Sequence, residues 1–140
     1  MTGLARLPDW RKRLDDYLDG LEGKAFDWAT MSCGLFAADA VRAMTGIDFS
    51  PEFRGQVQDD ESAAAALKAA GYDTIAELAA AKLEECPLSA LRLGDIASVV
   101  LSSGPTLYLV NSPPLSLLGM GRRGKVTLPI SKASRGFRVG

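Results

Sequence analysis

The sequence predicts an α+β fold, with N-terminal helices packed on a small antiparallel sheet. Three observations carry this reading. Residues 1–86 place apolar side chains at three- and four-residue steps, the period of a helix with one buried face. Residues 93–140 change to short runs rich in β-branched and aromatic residues, punctuated by Pro, Gly and Ser. Helices first and strands second is the order of an α+β domain rather than of a wound parallel sheet. At 140 residues the chain has the length of a single domain, 1–140. A domain of that size buries roughly two-thirds of its unfolded surface and needs no staples.

The first helix is marked by Leu7, Trp10, Leu14, Tyr17, Leu18 and Leu21, with Pro8 near its start and Gly20 and Gly23 at its end. Ser32 is placed to cap a second helix. Its stripe is Cys33, Phe36, Ala37, Ala40, Val41 and Met44, all on one face. Thr45-Gly46 closes it. Residues 47–58 read as a loop containing Pro51 and Gly55. A third helix is expected from about Asp60 to Ala70, closed by Gly71. Thr74-Ile75-Ala76-Glu77 has the spacing of a capping box, so a fourth helix should run to about Leu83, with Pro87 beyond it. Ile96–Leu101 and Thr106–Val110 read as a hairpin across Ser102-Ser103-Gly104-Pro105. Lys125–Ile130 and Gly136–Val139 are two further strands. Pro113-Pro114 and Gly119-Met120-Gly121 are expected to break the region between.

Composition narrows the function. The chain is 47% apolar and 24% charged with a net charge of −1, ordinary for a globular protein. No basic face points to nucleic acid or to an anionic membrane. No segment approaches the roughly 20 apolar residues of a membrane span. The N-terminal apolar stretch is short and is followed at once by Asp9, Arg11, Lys12 and Arg13, so no export signal is expected and the protein is placed in the cytosol. Cys33 and Cys86 are then expected as reduced thiols. Two Cys and no His do not complete a tetrahedral metal site, so no metal and no cofactor is expected.

Cys33 is the residue closest to chemistry. Unpaired backbone N–H groups at a helix N-terminus favour a thiolate. A thiol nucleophile also needs a base and a proton donor, and the chain contains no histidine. A small apolar residue on the stripe of Phe36 and Ala40 explains Cys33 without catalysis, and the missing base favours that role. Other polar groups have plain structural readings as well. Asp27-Trp28 is a turn with an anchoring aromatic. Asp39 lies off the main stripe and is solvated or ion-paired. Asp59, Asp60 and Glu61 cap a helix rather than bind a cation. Asp95 after Gly94 starts a strand, Cys86 is a loop thiol, and Arg122-Arg123-Gly124-Lys125 is a solvated basic turn. Gly119-Met120-Gly121-Arg122-Arg123-Gly124 has dinucleotide-loop spacing but lies among strands, without the strand-to-helix context such a loop needs.

A cysteine-headed helix, a helical insertion and a strand opened by Leu93-Gly94-Asp95-Ile96 resemble the NlpC-like cell-wall peptidases, the small papain-like fold. More closely, the chain resembles a group of small phage and prophage proteins. The matching residues are Phe26–Trp28, Cys33–Asp39, Thr45–Asp48, Arg54-Gly55, Ala70-Gly71, Gly94-Asp95 and Phe137–Val139. The resemblance implies a reduced papain-like architecture with Cys33 at the nucleophile's position. Where the peptidases carry histidine, Pro105-Thr106-Leu107-Tyr108 places Thr106 nearest, and threonine is no base near neutral pH. Ser32 stands where the phage group has Asp. The expected function is therefore a non-catalytic phage structural protein, a tail or tail-tip component made in the bacterial cytoplasm and incorporated into a particle. The rivals are a peptidoglycan hydrolase using Cys33 with a substitute base, and a cytosolic assembly factor. The partners implied are other phage structural proteins, with the oligomeric state left open. Pro113-Pro114-Leu115-Ser116-Leu117-Leu118-Gly119-Met120 is the expected contact segment, through Leu115, Leu117, Leu118 and Met120. The same side chains would also serve as filling for the sheet's own core.

Overall fold

The computed structural model describes residues 5–21, 33–48, 60–102, 104–111, 115–121 and 124–140. Among these the chain forms helices α1 (Trp10–Asp19), α2 (Cys33–Thr45), α3 (Asp60–Ala69) and α4 (Ile75–Lys82). The strands are β1 (Glu84–Cys86), β2 (Ile96–Leu101), β3 (Gly104–Asn111), β4 (Ser116–Gly121), β5 (Gly124–Pro129) and β6 (Arg135–Arg138). They make one six-stranded sheet in the order β1-β6-β2-β3-β4-β5, antiparallel at every pairing. The α+β class expected from the sequence is the class observed.

α1 buries Leu14 and turns three i,i+4 ion pairs to solvent, Arg11–Asp15, Lys12–Asp16 and Arg13–Asp9. It starts at Trp10, not Leu7, because the Leu7 amide donates to the Met44 carbonyl and docks the preceding segment on α2. α2 is buried more widely than a single stripe. Leu35 and Ala38 join Phe36, Ala37, Ala40, Val41 and Met44, because α1 covers one side of the helix while β3 and β4 cover another. The Thr45 hydroxyl donates to the Val41 carbonyl and accepts from the Ile47 amide, which ends the helix. Thr74 caps α4 by accepting the Glu77 amide, as the capping-box spacing requires. α3 and α4 share a small cluster around Leu78.

Alternation along the strands divides the sheet into two apolar faces. Ile96, Leu107, Leu109, Leu118, Met120 and Phe137 pack with α1 and α2. Ala97, Val99, Tyr108, Val110 and Leu117 pack on the opposite face, against Leu91 and Ala133. The chain leaves the edge strand β5 and crosses to β6, seating Ile130 and Ala133 on that second face. Ser134 fastens the crossing by donating its amide and hydroxyl to the Ser98 carbonyl.

Two strands depart from the sequence reading. Glu84–Cys86 is a short edge strand on β6, not a helix end. Gly119-Met120-Gly121, expected to break the chain, lies inside β4, paired residue by residue with β5. The glycine is there for space. A Cβ on Gly119 would stand 2.6 Å from Cε2 of Tyr108 and 2.7 Å from Cδ2, so the ring lies where any side chain would be. The proposed contact segment is corrected by the same strand. Leu117 is 0%, Leu118 8% and Met120 4% exposed, and only Leu115, at 43%, reaches solvent. These side chains fill the two faces of the protein's own sheet.

Candidate functional site

The helix headed by Cys33 lies on β3 and β4. The side chain of Cys33 falls outside the described residues, as do Asp27, Trp28, Ser32, Asp59, Arg122 and Arg123. What can be read is the strand surface beneath the helix. On β3 the residues directed to the helix side are Leu107 and Leu109, both fully buried. Thr106 alternates with them. It is paired with Val99, and its hydroxyl donates to the Val99 carbonyl at 3.1 Å. It therefore lies on the face of Tyr108 and Val110, away from α2. The residue nearest the peptidases' histidine position neither faces the cysteine helix nor keeps a free hydroxyl.

The polar centre of the molecule is Asp95, fully buried ahead of β2. Its Oδ1 accepts from Arg6 Nη2 at 3.0 Å and from the Val139 amide at 3.1 Å, and its Oδ2 accepts from the Arg92 amide at 2.9 Å. Arg6 also donates to the carbonyls of Leu93 and Val139 and lies 4.3 Å above the Trp10 ring. Burial pulls the Arg6 guanidinium below its ordinary pKa, and the Asp95 carboxylate opposes that shift. Gly94 makes the approach possible. Its φ is +92°, and a Cβ there would meet Arg6 Nη1 at 3.0 Å and Met44 Sδ at 2.9 Å. Asp95 starts a strand as expected, and it also binds the N-terminal segment, the turn before β2 and the end of β6 into one node. All its described contacts are structural.

Arg6 was not singled out by any spacing or motif. An arginine just before a helix carries no sequence signal that it will reach a carboxylate 89 residues away. The remaining candidates separate in space. Glu61 is exposed in the first turn of α3, Asp39 is half-buried on α2, and Cys86 is half-buried at the end of β1. Burial, then Asp95, pushes the Cys86 thiol above its ordinary pKa, away from a reactive thiolate. Among the described residues no group of three or more His, Cys, Asp or Glu is placed to hold a metal ion, and no helix is long and apolar enough to cross a membrane.

With this geometry in view, comparison with known families gives one match. A family model described as a domain of unknown function, DUF6950, matches residues 5–139. The chain belongs to the DUF6950 family. No curated protein matches it. The match runs from the Arg6 segment to Val139, so it spans both ends of the Asp95 node in this DUF6950 member.

Proposed function

We propose that this DUF6950 protein is a non-catalytic structural component of a phage or prophage particle, in the tail or tail tip, built on a reduced papain-like scaffold. The observation that carries the reading is the pairing of a cysteine-headed helix with a strand that offers it no base. The chain has no histidine, and the β3 residues on the helix side are Leu107 and Leu109. Acyl transfer by a thiol needs a proton taken from the nucleophile and a proton returned to the leaving group. Loss of one member of such a pair costs orders of magnitude in rate. What remains is a packed scaffold whose large exposed apolar residues, among the described residues, are scattered, with Ile47 after α2 and Leu88 after β1. Val100 and Leu101 lie at one end of the sheet beside the β2–β3 turn, and Leu115 at the other. The placement in a particle rests on the resemblance to phage proteins, which is analogy.

The rival reading, a peptidoglycan hydrolase, predicts Cys33-dependent release of muropeptide fragments. Purified protein should release none above a Cys33→Ala control. Turnover that needs Cys33 would replace this proposal with the enzymatic one. Recovery of the protein only in the soluble lysate, never with particles, would instead favour an assembly factor.

A further inference from the structure

Arg6 sits in a socket built by distant parts of the chain. Its Nε donates to the Val139 carbonyl at 2.7 Å, its Nη1 to the Leu93 carbonyl at 2.9 Å and its Nη2 to Asp95 Oδ1 at 3.0 Å. Acceptors spread over all three nitrogens fit a planar guanidinium and not the point charge of an ammonium. Two glycines with positive φ leave the space it fills. A Cβ on Gly94 would stand 3.0 Å from Nη1, and one on Gly140 would stand 2.8 Å from Cγ.

The socket does not depend on the segment that fills it. The amides of Arg92 and Val139 hold the Asp95 carboxylate, the Asp95 carbonyl accepts the Val110 amide, and the Gly94 amide donates to the Val110 carbonyl. Residues 5–7, by contrast, belong to no helix or strand. Besides the Arg6 side chain, the Leu7 amide ties them down through the Met44 carbonyl. An exposed turn at Pro8 and Asp9 joins them to α1. The Arg6 side chain is 14% exposed, so the socket opens to solvent. With Arg6 withdrawn, the fully buried Asp95 would keep Arg92 Nε at 3.7 Å as its nearest described cation. A buried carboxylate left that way draws a guanidinium back.

We propose that this socket is a binding site for the guanidinium group of an arginine, filled within one chain by Arg6 as a detachable latch and between chains by Arg6 of a second copy. The second copy is the occupant because its residues 5–7 bring the same arginine and the same leucine amide. Reciprocal exchange repeats every contact and leaves neither socket empty, which is the logic of a closed two-copy swap. The site is independent of whether the chain is carried in a particle.

The test uses the full chain in three measurements. Amide exchange on wild-type protein reads the latch, and the Leu7 amide should show about tenfold lower protection, or less, than the core amides of β3. Thermal melting of Arg6→Ala reads the socket. Ethylguanidinium, at ionic strength held constant with sodium chloride, should raise its melting temperature by about 2 °C or more at about tenfold above its Kd. Ethylammonium should not, and neither ion should stabilise wild-type protein or Phe36→Ala. Native mass spectrometry of Arg6→Ala mixed with Asp95→Asn reads the exchange. The first offers a socket without an arginine and the second an arginine without a socket, so the mixture should give a one-to-one complex that neither forms alone. A Leu7 amide that exchanges only with global unfolding would overturn the inference, and that measurement stands whether or not the variants fold. So would an Arg6→Ala protein that ethylguanidinium does not stabilise, or that ethylammonium stabilises equally, and so would the absence of a mixed complex.

Discussion

Replacing Gly119 with alanine adds one methyl group at the tightest point of the sheet. The new Cβ would lie 2.6–3.0 Å from three atoms of the Tyr108 ring, against the 3.4–4 Å of ordinary contact. Tyr108 is 6% exposed and packed among Val99, Val110 and Leu117, so its ring has no room to retreat. Overpacking of this kind costs about 1–3 kcal/mol. Alanine recovers about 0.5–1 kcal/mol of backbone entropy relative to glycine inside a strand. The net expectation is a loss of about 0.5–2 kcal/mol, a fall of a few degrees in melting temperature for a domain of this size. Urea denaturation of the single variants and of Gly119→Ala with Tyr108→Ala gives the decisive number. The alanine should be neutral or stabilising once the ring is removed, a coupling of about 1–2 kcal/mol. A Gly119→Ala protein more stable than wild type, or equally destabilised with and without the Tyr108 ring, would refute the packing account.

Three further outcomes follow from the core and the polar contacts. Phe36→Ala should cost about 3–5 kcal/mol, since the fully buried ring packs against Tyr17 at 6.0 Å between centroids; an unchanged denaturation midpoint would contradict the burial of α2. Asp95→Asn should cost about 3–5 kcal/mol, because it removes the carboxylate that balances the Arg6 charge and turns an amide donor toward backbone donors; chemical denaturation measures it. Arg135 grips Glu85 through two hydrogen bonds and holds its carboxyl below the usual glutamate range. The unfolded chain then takes up the proton first, so this contribution is complete above the unfolded glutamate pKa and is lost as pH falls through the lowered folded value. Glu85→Gln should therefore lie below wild type at neutral pH, with the gap closing as pH falls through the lowered folded value. The effect is small because both side chains meet solvent, and a gap independent of pH would exclude it.

The elements that carried strong local signals were legible in the sequence. The α2 stripe, the Thr74–Glu77 capping box and the β2–β3 hairpin all depend on neighbours within a few residues. β4 was hidden because Gly119 and Gly121 read locally as breakers, while the Tyr108 ring that requires Gly119 lies on another strand. Without that strand, Leu117, Leu118 and Met120 were open to two readings, a contact patch or filling for the sheet's own core. Their charge-free run does not choose between the two, whereas alternation sends Leu117 to one core face and Leu118 and Met120 to the other. β1 was missed because a three-residue edge strand depends on β6 for its pairing. At the candidate site, Cys33's place at the head of α2 was legible. Thr106's orientation was not, since it follows from register with Val99. The reach of Arg6 to Asp95 is a long-range contact that no local pattern encodes.

The central claim is that this chain serves as a structural part of a phage particle. Quantitative mass spectrometry of density-purified particles, from a host that carries the gene and is induced to produce them, tests it most directly. The account predicts the protein at a fixed copy number per particle that withstands high-salt washing, unchanged when Cys33 is replaced by alanine. Particles that are complete and infectious yet contain none of it would contradict the account.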